Sequence, residues 1–447
     1  MSKGTKTIGK KAYPWAWCAR GVALAVNTIL LMQITYFGTD FVGLSPALIG
    51  TLLLVSKFSD GFTDLFAGFI IDKTKSKLGK ARPYELFLIP VWLFTVLLFS
   101  VPNFGTTGKA IYIFCLYTLI NSVCVTFLSA CETPFLARST KDEGLRAKAL
   151  TVSGIMSMIV PALVSMVLPS MITGWGSQPG GWTKIALVLG VPFCIIGLMR
   201  FLFIKETNDV EEKHENVSIK TMLDSIRQNK YVFIVAGMMF ACNMINGILS
   251  ATNNYFFQYV VGDLNKLTFV SMLGLLTPFF LVIFPIALKK IGGMRFIQIG
   301  LILAIIGNVI KYISGANMTG IMIGAFLASG TTFVMMIGSI FMIQCMDYGE
   351  WKSGTRVEGG LSAVSGFAQK VGTGIASGLV GVVMGAAGYD GTAAVQSASA
   401  IMSIKLCWII IPIILMVIML VLSFFYDLEK KMPQIQDELN KRHAVKS

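Results

Sequence analysis

Long runs of apolar residues alternate along this chain with short polar stretches rich in Lys and Arg. Twelve of the runs approach the roughly 20 residues that an α-helix needs to cross a bilayer. They fall at residues 16–39, 46–71, 84–102, 110–136, 149–173, 183–204, 230–259, 267–288, 295–314, 319–346, 360–387 and 403–426. The pattern predicts an all-α membrane protein with twelve transmembrane helices. Residues 205–229 form the longest strongly charged stretch and read as a cytoplasmic linker between two six-helix halves, 1–204 and 230–426, with 427–447 as a cytoplasmic tail.

The loop charges orient these helices. Loops after even-numbered spans carry Lys73, Lys75, Lys77, Lys80 and Arg82, then Arg138, Lys141, Arg146 and Lys148, then Lys289, Lys290 and Arg295, then Lys352 and Arg356. The opposite loops hold little beyond Lys109, Lys184 and Lys266. Cytoplasmic loops collect Lys and Arg, so both termini are expected in the cytoplasm of a multi-pass plasma (inner) membrane protein. Composition agrees, at 55% hydrophobic and only 13% charged residues. The net charge of +14 does not indicate nucleic acid, because the basic residues sit in the short loops. Eight cysteines occur singly with no CxxC pair, which points to packing residues and not to a metal or disulfide framework.

Three ionisable residues interrupt the second span. Lys57, Asp60 and Asp64 share a helix face by their i, i+3, i+7 spacing. A carboxylate at membrane depth costs about 2.5 to 3.5 kcal/mol on insertion scales, so it should face water, pair or bind a cation. Glu132 in the fourth span adds a third carboxylate, with Thr63 and Ser129 as neighbouring oxygens. Together they could cage Na⁺ or share a proton; alternatively Asp60 and Asp64 form a structural ion pair with Lys57, and Glu132 is solvated at the membrane boundary. Lys370 stands in a Gly- and Ala-rich eleventh span, where it pairs with an anion or snorkels to an interface. Asn27, Asn243 and Asn246 are candidate hydrogen-bonding residues for a sugar, with Trp351 among the aromatic candidates. No catalytic chemistry is visible, and no cofactor is expected beyond Na⁺ or H⁺ as coupling ion.

The halves repeat weakly. Asp72-Lys73 and Gly79-Lys80 after the second span are answered by Lys289-Lys290 and Gly292-Gly293 with Arg295 after the eighth, which fits the major facilitator fold. Four stretches then carry a family resemblance: DGFTDLFAGFIIDKTKSKLGKARP (60–83), TYFGTDFVGLS (35–45), CETPF (131–135) and MDYGEWKSGTRVEGG (346–360) followed by Lys370. They resemble the glycoside–pentoside–hexuronide:cation symporters, the group that includes the melibiose permeases. The resemblance implies symport of a sugar or glycoside with Na⁺ or H⁺ by alternating access, with Asp60, Asp64 and Glu132 as cation site and Thr63 and Ser129 beside it. It implies coupling or substrate roles for Lys57 and Lys370, and gating by the 73–82 loop and the 346–358 region, with Asp72, Lys73, Arg82, Asp347, Glu350 and Arg356 as candidates. Leu24, Gly154 and Leu136 depart from the melibiose pattern, so no galactoside is assigned; Arg20, one turn before Leu24, could meet an anionic sugar such as a hexuronide. The expected partners are a small-molecule sugar and the lipid bilayer, with the chain acting as a monomer. A lysolipid transporter on the same fold stays open, whereas a membrane sensor would need an output domain longer than residues 427–447.

Overall fold

The structure, a computed structural model, describes residues 8–74, 76, 78–207, 227–276, 288, 290–354, 358–393 and 395–446. Regular structure in these residues is entirely helical: α1 (Tyr13–Phe41), α2 (Pro46–Lys73), α3 (Leu88–Leu98), α4 (Thr106–Ser139), α5 (Glu143–Trp175), α6 (Gly181–Phe203), α7 (Lys230–Val260), α8 (Leu264–Leu276), α9 (Gly293–Ser314), α10 (Met318–Ser353), α11 (Glu358–Ala386), α12 (Ala398–Phe424) and α13 (Leu428–Lys446). The twelve expected spans overlap α1 to α12 in order, with residues 277–287 of the eighth lying outside the described residues. Among the described residues nine helices are long and apolar enough to cross a membrane. Their outer faces expose Val167, Ile195, Ile306 and Val421, a surface that lipid covers and water does not tolerate in such extent.

The chain divides into two compact units. The first holds Met1–Glu212 with Asn253–Pro278 and Ser377–Ile401. In it α1 packs against both α5 and α6. Gly21 meets the hydroxyls of Ser153 and Ser157, and Gly197 meets Ala23 and Leu88; small residues let helices approach where no hydrophobic force separates them from lipid. Gly50 of α2 lies against Gly381 and the Ser377 carbonyl of α11. Thr268 of α8 donates a 2.9 Å hydrogen bond to the Met166 carbonyl of α5.

The second unit holds Lys213–Thr252, Phe279–Ala376 and Met402–Ser447. Its core joins Val235 and Met239 of α7, Leu301 of α9, Ile337 of α10 and Met416 of α12. A Cβ placed on Gly307 would collide with the Gly324 carbonyl oxygen, so α9 and α10 touch backbone to backbone. Gly307→Leu is expected to cost about 1–3 kcal/mol by overpacking, visible as a fall of several degrees in the Tm of the purified protein.

Two glutamates play matching parts. Glu206, just after α6, accepts from the backbone N–H groups of Lys80, Ala81 and Arg82 ahead of α3. Glu429, just after α12, accepts from those of Gly293 and Met294 at the start of α9. Each carboxylate satisfies orphan N–H groups and meets the positive end of a helix dipole.

The stretch expected as a tail is a helix. Leu428, Met432, Ile435 and Leu439 recur at helical spacing and are buried on the second unit, a period that could have been read from the chain. Trp351 Nε1 donates to Glu438 at 2.6 Å and the Tyr231 hydroxyl donates to Asp427 at 2.6 Å. Hydrogen bonds from Lys431 and Tyr231 hold the Asp427 carboxyl down to about 2.

Candidate cation-coupling site

The acidic face of α2 meets a row of hydroxyls on α4. Thr118 donates to Ser56 at 3.1 Å, Ser122 donates to the Asp60 carboxylate, and Thr126 donates to Asp64 at 3.1 Å. The partners advance by four residues on both helices, so α2 and α4 run side by side in the same direction and in register. A π segment at Leu119–Val125 widens α4 where it meets Asp60, an interruption that recurs at functional positions in helices. Lys57 Nζ donates to Asp60 at 3.1 Å and lies 5.6 Å from the Tyr117 ring centre. Asp60 is buried and Asp64 exposed, so this ladder runs from a sealed end to an accessible one. Thr63 spends its hydroxyl proton on the Ser59 and Asp60 carbonyls, which leaves its oxygen lone pairs as acceptors. Ser129 is exposed, about one turn beyond Thr126.

Glu132 belongs to a different cluster. Arg20 and Arg200 both grip its carboxylate, Arg200 at 3.2 Å, and both lie near Glu85 Oε1, at 3.6 and 3.5 Å. The Arg200 guanidinium stacks 3.4 Å from the Trp17 ring centre and 5.2 Å from that of Phe135. The Arg20, Arg200 and Glu85 side chains are at most 1% exposed, while Glu132 is 37% exposed. The two positive and two negative charges balance, as burial requires. Six residues separate Thr126 from Glu132 along α4, roughly 9 Å of helix rise. Among the described residues no group of three His, Cys, Asp or Glu side chains is placed to hold a metal ion. The three-carboxylate cage expected from the chain is therefore not assembled: Asp60 and Asp64 face hydroxyls, and Glu132 is neutralised by guanidinium groups.

The family model for MFS/sugar transport proteins matches residues 19–430. The chain belongs to the MFS/sugar transport protein family. It is similar to the isoprimeverose transporter of Lactiplantibacillus pentosus, at 30% identity over 94% of this chain and 88% of the relative. It is also similar to the glucuronide carrier protein homolog of Escherichia coli (strain K12), at 25% identity over 96% and 94%. The fold is shared with a bacterial homologue of the human lysosomal transporter Spinster in an inward-facing, unoccupied conformation, with a TM-score of 0.69 and 11% identity over 95% of this chain and 98% of that one. A nucleoside transporter superposes with a TM-score of 0.62 and 13% identity over 93% and 98%. The fold is the major facilitator fold, and this multi-pass membrane protein is a transporter and not an enzyme.

The remaining candidates of the transporter are scattered. Arg20 is sealed behind Glu132 and donates to the Leu128 carbonyl, so it does not present a free guanidinium to solute. Asn27 is 1% exposed and donates to Thr95 at 2.8 Å, tying α1 to α3. Asn243 donates to the Met239 carbonyl at 2.8 Å within α7. Asn246 is exposed on α7, with its amide donating to the Cys242 carbonyl at 3.1 Å. Trp351 anchors α13. Lys370 is partly buried in α11, in the second unit, with its carbonyl accepting from Thr373 at 2.9 Å. Of the gating candidates, Lys73 lies 4.0 Å from the Phe69 ring centre, and Arg82 donates to the Phe201 carbonyl at 2.8 and 3.1 Å. Asp347 and Glu350 are partly buried on α10, while Arg356 and the side chain of Asp72 lie outside the described residues.

Ser122 and Thr126 carry no charge, and the charged Glu85 and Arg200 lie near the ends of the expected spans 84–102 and 183–204, so mid-span charge singles out none of the four. A signal existed for the first two: residues 56, 60 and 64 of α2 and 118, 122 and 126 of α4 are polar with the same four-residue period.

Proposed function

We propose that this protein is a secondary active symporter that moves a sugar or glycoside with Na⁺ or H⁺ by alternating access. The observation that carries the reading is the ladder in which Asp60 and Asp64 face Ser122 and Thr126 inside an apolar helix bundle. Two carboxylates one helical turn apart repel each other, and a monovalent cation among their oxygens and the hydroxyls relieves that repulsion. A proton on one carboxylate does the same. Loading the ladder and binding solute then favour each other by reciprocal coupling. One monovalent charge crossing about 100 mV supplies roughly 2.3 kcal/mol, enough for about 50-fold accumulation. In this reading Glu132 is the accessible edge of the Arg20–Arg200–Glu85 cluster, Lys370 has a coupling role, and both termini are cytoplasmic.

The printed names of the relatives support sugar-like cargo: an isoprimeverose transporter, a glucuronide carrier homolog and a glycoside/cation symporter of E. coli are among them. Repeated architecture supports two six-helix halves, since Glu206 caps the α3 entry as Glu429 caps α9. The test is solute-driven cation flux in proteoliposomes, screening xylosides, glucosides, galactosides and glucuronides with separate Na⁺ and pH readouts. One sugar class is expected to move with one cation. Sugar flux with no cation movement in either readout overturns the coupled reading.

A further inference from the structure

The ends of α1 and α7 are copies of one another. YFGTDFVG at residues 36–43 aligns with YFFQYVVG at 255–262. Both runs contain a π turn, Phe37–Phe41 and Phe256–Val260. Both finish on a left-handed residue, Gly43 with φ 79° and Gly262 with φ 81°, which glycine alone adopts without strain. Equivalent backbone bonds close them: Leu44 N–H donates to the Gly38 carbonyl at 2.9 Å, and Asp263 N–H to the Phe257 carbonyl at 3.0 Å.

Equivalent residues of the two copies touch. The rings of Tyr36 and Tyr255 meet edge to face at 5.3 Å, and the Tyr259 hydroxyl donates to Asp40. Where the copies differ, an Asp faces a Tyr, and the difference makes a directional, charge-assisted bond that two identical side chains could not form. Tyr389, just beyond α11, closes a third side: its hydroxyl reaches Asp40 Oδ1 at 2.9 Å and Oδ2 at 3.0 Å. Thr39 donates to Asp40 at 2.6 Å and its hydroxyl also pairs with that of Tyr255 at 2.6 Å. The Gly391 Cα beside them has no room for a side chain, since a Cβ would stand 2.5 Å from the Thr39 carbonyl oxygen. All these residues lie in the first unit. They sit at the end of α1 opposite the N-terminus, away from the Asp60 ladder and the Arg20 cluster. Burial and the Asp40 charge push the Tyr389 phenol well above its ordinary value, so it stays a hydrogen-bond donor at any physiological pH.

We propose that Asp40 is the latch of this end of the transporter: its carboxylate, held by Tyr259 and Tyr389, ties the ends of α1, α7 and α11 together and must let go before solute passes there. The inference rests on the transport reading but on none of its cargo. One carboxylate serves three hydroxyl donors from three segments of the chain, so one side chain controls whether the segments separate. Gln33, two turns back along α1, accepts from Asn254 and lies behind the latch.

The test introduces Gln33→Cys and follows its reaction with a membrane-impermeant maleimide, added to intact cells and to inverted vesicles, read at that peptide by mass spectrometry. Asp40→Asn and Tyr389→Phe are each expected to raise labelling from the side of the membrane opposite the termini by about tenfold, the loss of a charge-assisted bond. Labelling from the terminal side should not rise. Tyr389→Phe removes one oxygen and keeps the ring, so it remains informative if Asp40→Asn folds poorly. Unchanged labelling in Tyr389→Phe overturns the latch. Because no solute enters the assay, raised labelling in a protein that carries no sugar would sustain the latch and sink the sugar reading instead.

Discussion

Asp60→Asn abolishes accumulation: in proteoliposomes under an imposed cation gradient, solute is expected to fall from as much as about 50-fold enrichment to its equilibrium level. Exchange of solute down its own gradient should survive at reduced rate, because the amide keeps the Ser122 contact while removing the charge. The side chain is buried against Lys57 and Ser122, and a neutral Asn there leaves the Lys57 ammonium without its carboxylate. Ser122→Ala should act more gently. It deletes a hydrogen bond to a charged group, a loss of about 1.5–3 kcal/mol, and is expected to weaken apparent cation affinity by about tenfold or more with the maximal rate little changed. Accumulation by Asp60→Asn equal to that of the parent would remove the ladder from the coupling mechanism.

The second large effect is on stability. Glu85→Gln or Arg200→Leu alone leaves an uncompensated charge in a cluster of which Arg20, Arg200 and Glu85 are almost fully buried, and breaking such a pair costs about 3–5 kcal/mol. Either single variant is expected to lose most of its folded material in detergent, followed by size-exclusion fluorescence and thermal unfolding. Arg200→Leu also forfeits its stacking on Trp17, worth about 2 kcal/mol when desolvated. The double variant Glu85→Leu, Arg200→Leu removes one charge of each sign and leaves Arg20 with Glu132, so it should recover a good part of the loss. Single variants as stable as the parent would mean that water reaches the cluster and screens it. Glu132→Gln tests the same balance from the accessible side: Glu132 is 37% exposed, but its loss leaves the buried Arg20 and Arg200 sharing Glu85, so it too is expected to lower the Tm.

How far the chain could be read by itself varies with the kind of information. Helices were legible because twenty apolar residues in lipid have one way to satisfy their backbone, and among the described residues helices appear where the runs are. The helix at Leu428–Lys446 is hard to read from the chain because its apolar positions are few and its charges many, although Leu428, Met432, Ile435 and Leu439 keep the period. At the candidate site, the carboxylates of α2 stood out because a charge in a membrane segment is conspicuous by composition. Their hydroxyl partners did not, since a serine or threonine in such a helix is common and costs little.

The sequence alone determined what depends on local order: the spans, the polar face of α2, the family motifs, and even the repeated eight residues that end α1 and α7. Tertiary structure alone decided which charges meet. Glu132 looked like a third cation ligand along the chain, and became the counterion of Arg20 and Arg200 because helices α1, α4 and α6 converge there with Glu85. Along the chain Asp40 is one acidic residue in the 35–45 motif near a helix end, and it becomes the centre of a hydroxyl cage only when α7 and the turn after α11 fold onto it. The physical reason is the same in both cases. The fate of a buried charge depends on the sum of the groups within a few ångströms, and those groups come from segments tens to hundreds of residues apart.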